Sequence, residues 1–163
     1  MNESSTNSQP AHGKGTNVPA TLAIFLIVIA VAAPFLFMGS GKDLVPWRSD
    51  LAAASQEAET GNKLLMLDFT AEWCGPCKTM KRTTFADETV KAALEKDFIP
   101  VKMDMTDSGP RQAAWSREYS ITGVPTLLVT DAKGRLLARH VGGMDSKAFI
   151  AWLDDAKQRA GHE

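Results

Sequence analysis

Apolar and polar positions follow two different periods along residues 42–163, and these periods predict a domain of helices and strands. Apolar residues three and four positions apart, as in 87–98, are typical of helices, whereas short apolar runs such as 63–70 are typical of buried strands. The predicted helices cover 47–60, a segment that opens at Cys74, 87–98, 110–119 and a segment after Asp145, and the predicted strands cover 63–70, 99–105, 126–130 and 135–141. Expected N-caps are Asp50, Asp87 and Asp145.

The order of these elements predicts the class of fold. A strand–helix–strand unit is followed by two strand segments joined at Asp131-Ala132-Lys133-Gly134, a short turn typical of an antiparallel hairpin, and then by a closing helix. Strands connected through a helix run parallel, whereas strands connected by a hairpin run antiparallel. We therefore predict an α/β fold with a central mixed β-sheet flanked by helices.

The segment before this domain predicts a membrane anchor. Residues 20–38 carry no charged side chain and approach the roughly 20 apolar residues that a spanning helix needs. A cleavable signal peptide with Ala30-Val31-Ala32 as its cleavage site is the alternative, but the apolar run continues past that site. The predicted organisation is a disordered polar tail over 1–19, a transmembrane anchor (or uncleaved signal) over 20–38, a linker over 39–46 and a domain over 47–160.

The amino-acid composition excludes several classes of function. The chain has 18 Lys and Arg against 19 Asp and Glu, a balance that argues against a nucleic-acid partner. It has only two cysteines, too few for a disulfide-stapled mini-protein or a four-thiolate zinc site. The histidines His12, His140 and His162 are scattered along the chain, so no metal site is expected.

The two cysteines stand together at the end of the first predicted strand, in Trp73-Cys74-Gly75-Pro76-Cys77. The spacing places both sulfurs within disulfide range across one helical turn, with Cys74 at the helix N-terminus, where the helix dipole and free N–H groups favour a thiolate. We expect Cys74 to be the exposed nucleophile with a lowered pKa and Cys77 to be the more buried resolving thiol. Gly75 and Pro76 keep the loop short, and Trp73 is expected to form an apolar wall beside Cys74.

Three other interpretations of the cysteine pair fit the sequence less well. A structural disulfide that closes so short a loop would constrain the unfolded chain little. A zinc site would need two further ligands, which the sequence does not offer at ligand spacing. A metal chaperone with a single C-x-x-C motif usually lacks a proline between the thiols. Redox chemistry is therefore the favoured interpretation.

Three segments carry a family resemblance. Asp68-Phe69-Thr70-Ala71-Glu72-Trp73-Cys74-Gly75-Pro76-Cys77-Lys78 resembles the active-site segment of the thioredoxin family, Val124-Pro125-Thr126 resembles its cis-proline segment, and Gly142-Gly143 stands at its glycine after the last strand. The resemblance covers roughly residues 47–158. Residues 84–97 and 105–107 look more like the C-terminal periplasmic domain of the bacterial transmembrane thiol:disulfide interchange proteins, or like stand-alone relatives of that domain.

The resemblance implies roles for further residues. Pro125 would follow a cis peptide bond that presents the backbone of Val124 to a substrate, unless it is a trans proline at a strand start. Asp68, an acid in an apolar strand, would be buried and would exchange a proton with Cys77, unless it faces an edge without a role. Lys102 would modulate that carboxyl group, although an ordinary solvated lysine is an equal alternative.

The resulting prediction is a thioredoxin-like fold preceded by one transmembrane helix, acting as a thiol-disulfide oxidoreductase that reduces protein disulfides through a mixed disulfide. No organic cofactor or metal is required. The expected partners are disulfide-bearing proteins and an upstream electron donor, membrane-bound or soluble. We expect a single-pass protein of the bacterial cytoplasmic membrane, with the thioredoxin-like domain on the periplasmic side. The alternatives are an oxidant or isomerase of the same fold, or a non-catalytic binding module.

Overall fold

The computed structural model describes residues 41–161. The predicted tail over 1–19 and the predicted anchor over 20–38 lie outside the described residues. Among residues 41–161, no helix combines the length and the apolar character needed to cross a membrane. The elements in chain order are α1 (Leu51–Gly61), β1 (Leu64–Thr70), α2 (Gly75–Arg82), a short 3-10 helix (Thr84–Ala86), α3 (Glu88–Asp97), β2 (Phe98–Asp104), α4 (Pro110–Glu118), β3 (Thr126–Thr130), β4 (Leu136–Val141) and α5 (Ser146–Gly161).

The four strands of the described domain form one mixed sheet in the order β2-β1-β3-β4. β1 runs parallel to β2 and antiparallel to β3, and β3 and β4 form the predicted antiparallel hairpin. The prediction of a central mixed sheet is therefore confirmed. In the register of the sheet, Asp68 of β1 lies between Lys102 of β2 and Leu127 of β3.

Each face of the sheet is covered by its own apolar cluster, because successive side chains of a strand point to opposite faces. On one face, Leu65, Leu67 and Phe69 of β1 pack with Ala54 and Ala58 of α1. On the other face, the cluster joins strands, α2, α3 and α5, with Met66, Met80, Leu94, Phe98, Phe149 and Leu153 among its members. Asp68 lies in alternation with Met66, so its carboxyl group points into this second face.

The start of α1 differs from the prediction. The helix begins at Leu51 and not at residue 47, because Arg48 pairs with β2 in an isolated parallel bridge to Val101. The Arg48 N–H donates to the Pro100 carbonyl, and the Lys102 N–H donates to the Arg48 carbonyl, both at 2.8 Å. The helix starts after Asp50, whose side chain accepts from the Ala53 N–H, as the prediction of an N-cap required.

Residues 43–48, which we call the N-terminal segment, lie along the second face of the sheet. The Leu44 N–H donates to the Phe85 carbonyl at 2.8 Å, and Val45 is buried in the core cluster. The ring of Trp47 packs edge-on against Phe85 with 4.9 Å between the centroids. Residues 43–46 of the predicted linker are thus packed on the domain, and they bring Asp43 to the sheet edge at Lys102.

Candidate active site

The two cysteines form a disulfide at the N-terminus of α2. Their Sγ atoms are 2.05 Å apart and their Cα atoms 5.3 Å apart. Cys74 is the N-cap of the helix, and the Cys77 N–H donates to its Sγ atom at 3.2 Å, with Pro76 in the first turn. After reduction, the same N–H group and the positive end of the helix dipole would favour a thiolate at Cys74.

The predicted difference in exposure between the two cysteines is wrong for this disulfide form. Cys74 is 4% exposed and Cys77 is 6% exposed. Cys74 is covered because Ala71, Met105 and Val124 pack around the disulfide. The exposed group is instead Trp73, at 66%, whose indole N–H donates to the Thr106 carbonyl at 3.1 Å.

The predicted cis peptide bond before Pro125 is confirmed. Pro125 is buried at the start of β3, and its carbonyl accepts from the Gly142 N–H at 2.8 Å. Val124 packs against the disulfide, so the loop that carries both residues lies directly beside the cysteines. Gly142 adopts a positive φ of 102°, a conformation that glycine accepts without steric cost.

A groove separates Trp73 from the loop before β3. It has a volume of about 270 Å³ and is lined by both of these elements and by the start of α4, with Trp73, Met105, Gln112, Ile121 and Val124 among the lining residues. Its walls are mixed apolar and polar. Two of its lining residues, Met105 and Val124, also pack against the disulfide.

Asp68 is buried, as predicted, with 3% of its surface exposed. Burial raises the pKa of Asp68 to about 7, the Lys102 charge lowers the pKa, and the Asp43 charge raises it. The alternative of an edge-facing aspartate is therefore excluded. A carboxyl group with such a pKa exchanges protons readily at neutral pH.

A cleft of about 430 Å³ joins Asp68 to Cys77. Both residues line it, together with Thr70, Phe85, Lys78, Lys81, Lys102 and residues at the ends of β1 and β2. The cleft is distinct from the groove beside Trp73, because none of the described residues lines both of them. Buried groups that share a solvent-sized cleft can exchange a proton directly or through water.

Lys102 lies beside Asp68 in the register of the sheet, but its ammonium group pairs elsewhere. The Nζ atom is 3.4 Å from Asp43 Oδ2 and 4.6 Å from the centroid of the Trp47 ring. Asp43 and Trp47 were not predicted to take part in the site. No local pattern could have identified Asp43, because its contact with Lys102 spans 59 positions and depends on the path of the N-terminal segment.

The remaining candidate chemistry is metal binding. Within the part of the chain that the structure describes, no three or more His, Cys, Asp or Glu side chains are grouped to hold a metal ion. Among residues 41–161, the cysteine pair is thus not part of such a group.

Comparison with known proteins identifies the family. The family model described as a thioredoxin-like domain matches residues 51–157, which include β1, the cysteine pair and β3. The chain belongs to the thioredoxin-like domain family. The thioredoxin-like fold predicted from the cysteine segment is thereby confirmed, and residues 51–157 carry the disulfide pair of the family on the helix described above.

Relatives of this thioredoxin-like domain include the thiol:disulfide interchange protein DsbD. The chain is 35% identical over 100 residues to that of Yersinia enterocolitica, covering 60% of this chain and 17% of the relative. It is 34% identical over 112 residues to that of Pseudoalteromonas atlantica, covering 68% and 18%. The matched part of the chain thus spans less than a fifth of the length of these curated relatives.

Solved structures agree with this assignment. The C-terminal domain of Neisseria meningitidis DsbD in its oxidised form superposes with a TM-score of 0.58 at 27% identity, covering 68% of this chain and 98% of that domain. The thioredoxin-like domain of this chain therefore corresponds to one whole domain of that relative. Family membership and the Cys74–Cys77 pair together make the domain a thiol-disulfide oxidoreductase.

Proposed function

We propose that this chain is a membrane-anchored reductase of protein disulfides. One observation carries the proposal: a Cys74–Cys77 disulfide at a helix N-terminus shares a cleft with a buried carboxyl group, Asp68. This arrangement supplies the nucleophile, the resolving thiol and a proton acceptor that a dithiol reductase needs. The surrounding loops supply a groove for a substrate chain.

The first step forms a mixed disulfide. The Cys74 thiolate attacks one sulfur of the substrate disulfide, a bond forms between Cys74 and that sulfur, and the substrate S–S bond breaks. The other substrate sulfur leaves as a thiolate and takes up a proton from solvent. The helix N-terminus favours the attacking thiolate over the thiol.

The second step releases the product. Cys77 loses its proton to the Asp68 carboxylate, and the resulting thiolate attacks the Cys74 sulfur, which closes the Cys74–Cys77 disulfide. The second substrate sulfur leaves and receives the proton that Asp68 holds. Two electrons have then passed from the chain to the substrate, which is reduced while the chain is oxidised. Of the two protons on the product thiols, one comes from Cys77 and the other from solvent.

Substrate recognition is assigned to the surface around the disulfide. Trp73 offers an exposed apolar face, Gly75 and Pro76 form the short loop between the cysteines, and Val124 and Pro125 form the facing wall. An extended segment of the substrate would pair with the backbone of Val124 by main-chain hydrogen bonds, a common mode of peptide recognition. Lys102 takes the role of a modulating charge near Asp68.

The direction of electron flow and the place of the enzyme complete the proposal. Gly-Pro between the cysteines resembles the reducing members of the family, and relatives named thiol:disulfide interchange proteins support exchange with protein partners. An upstream electron donor would restore the dithiol after each turnover. Residues 20–38 would anchor the chain in the bacterial cytoplasmic membrane, with the domain on the periplasmic side.

Trapping of the mixed disulfide tests the proposal. Cys77→Ser removes the resolving thiol, so reduced C77S protein is expected to accumulate a covalent complex with insulin that dithiothreitol releases. The matched Cys74→Ser variant keeps one thiol but lacks the nucleophile, and it is expected to form no complex. Equal trapping by both variants would contradict the assigned roles, and persistence of insulin binding without any covalent product would indicate a binding module.

A further inference from the structure

The Asp43 carboxylate is held in place by the N-terminal segment. Both of its oxygens accept from the Trp47 indole N–H, at 3.0 and 2.9 Å, and Oδ1 also accepts from the Val45 N–H at 3.1 Å. Its side chain is only 12% exposed. Because Val45 and Trp47 are packed on the core, Asp43 presents a fixed negative charge at the edge of the sheet.

This fixed charge determines where the Lys102 ammonium group lies. Asp43 Oδ2 is 3.4 Å from Lys102 Nζ, and the Trp47 ring lies 4.6 Å from the same atom. Within residues 41–161, Lys102 makes this ion pair and none with Asp68, although the two residues are opposite one another in the β1–β2 register. One cation thus has two carboxyl groups as neighbours and is bound to the more exposed of them.

We propose, resting on the function proposed above, that Asp43 is a positioning residue for proton transfer at Asp68. It holds the Lys102 ammonium group against Trp47 and thereby keeps this cation from pairing with Asp68. A lysine paired with Asp68 would stabilise the carboxylate and weaken it as a proton acceptor for Cys77. With the lysine held at Asp43, Asp68 keeps the weak acidity that burial gives it.

Other charged groups also lie around Asp68, but none of them holds the Lys102 ammonium group at Asp43. The cleft that holds Asp68 and Cys77 is also lined by Lys78 and Lys81 of α2, by Glu72 after β1 and by Asp104 at the end of β2. Hydrogen bonds from the Thr106 side chain and from the Thr106 N–H, the latter at 2.8 Å, lower the pKa of Asp104, so this carboxylate stays charged at neutral pH. These groups remain unchanged in the variants described next.

Asp43→Asn tests the positioning role. The asparagine side chain keeps an oxygen acceptor for Val45 and Trp47 but loses the charge that binds Lys102. We expect the midpoint of the Asp68 titration, followed by carbon-13 NMR of labelled aspartate in the oxidised full chain, to fall by about 1 pH unit, the scale that a neighbouring charge produces. Asp43→Glu, which restores the charge, is expected to restore the midpoint.

A second pair of variants separates the action of Lys102 from that of the Asp43 charge itself. Lys102→Met keeps the aliphatic stem over Trp47, and in this background D43N is expected to move the Asp68 midpoint by less than a third of its effect in the wild type. An unmoved midpoint in D43N, or an equal shift in both backgrounds, would overturn the positioning role of Asp43. Failure of the wild-type dithiol to reduce insulin would instead overturn the proposed function, so the two failures are distinguishable.

Discussion

A single buried carboxyl group links stability to chemistry in this domain. Asp68 lies among apolar neighbours, and burial is the main reason that its pKa rises to about 7. In the unfolded chain, an aspartate ionises near pH 4. Between about pH 4 and 7 the folded state therefore holds a proton that the unfolded state has lost, so stability falls as the pH rises through this window and stays low above it.

Asp68→Asn is accordingly expected to stabilise the fold while impairing the second chemical step. At pH 8 the free energy of unfolding should rise by about 4 kcal/mol, because the pKa is displaced by about 3 units and each unit corresponds to about 1.4 kcal/mol. Urea unfolding of the oxidised protein at pH 4 and pH 8 measures the effect, which should vanish at pH 4. Asp107→Asn, at an exposed loop position, is the control and should change stability by less than about 0.5 kcal/mol. A wild-type stability that does not depend on pH between 4 and 7 would contradict the burial argument.

Trp73 is expected to act in recognition and not in folding. Trp73→Ala removes a side chain that is 66% exposed and loses one indole hydrogen bond, so the change in unfolding free energy should stay near 1 kcal/mol. The apparent kcat/KM for insulin is expected to fall about tenfold, since exposed tryptophans often dominate binding surfaces. The rate with a small aromatic disulfide should change far less, and an equal loss with both substrates would argue against a recognition surface.

At the level of elements, helix caps and apolar runs were sufficient to predict most of the architecture. Asp50, Asp87 and Asp145 each accept a backbone N–H at the start of a helix, as predicted, because an N-cap is a local interaction. The predicted start of α1 was wrong because residues 47–48 have helical composition, whereas the backbone of Arg48 pairs with β2. The helical propensity of these residues is outweighed by backbone pairing with β2, a distant strand that the local sequence does not identify.

Asp50, the N-cap of α1, is expected to affect the stability of the domain but not its activity. Asp50→Ala removes the acceptor for the Ala53 N–H and is expected to lower the free energy of unfolding by about 1 kcal/mol. The rate of insulin reduction should not change, because α1 packs on the face of the sheet opposite to Asp68. Asp50→Ser, which can also cap, is expected to recover most of the stability. A large loss of activity in either variant would show that α1 affects the site.

The features of the site that the sequence did not predict depend on contacts between distant segments of the chain. Asp68, Cys77 and the cis peptide bond before Pro125 were predicted because each belongs to a short motif with its own physical reason. The burial of Cys74 was not predicted, since it depends on Val124 from a distant loop. The pairing of Asp43 with Lys102 likewise depends on the sheet register and on the path of the N-terminal segment.

For the full chain, we predict a membrane protein with a redox domain. The uncharged run over 20–38 should keep the full chain in the membrane fraction after extraction with alkaline carbonate. Leu26→Arg combined with Ile29→Arg places two charges inside the run, at about 2.5–3.5 kcal/mol each, and is expected to release the chain. Lys14→Gln changes a charge outside the run and should leave the chain in the membrane fraction. Release of the unmodified chain by carbonate would contradict the anchor.

The central claim is that the cysteine pair works as a reductant. The most direct measurement is the reduction potential of the Cys74–Cys77 couple in the full chain, equilibrated in defined thiol and disulfide buffers and quantified by thiol alkylation. We expect a value near the roughly −270 mV of thioredoxin, at which the dithiol reduces most protein disulfides and depends on an upstream donor. A value near the roughly −120 mV of a strong oxidant would reverse the direction of electron flow and contradict the proposed function.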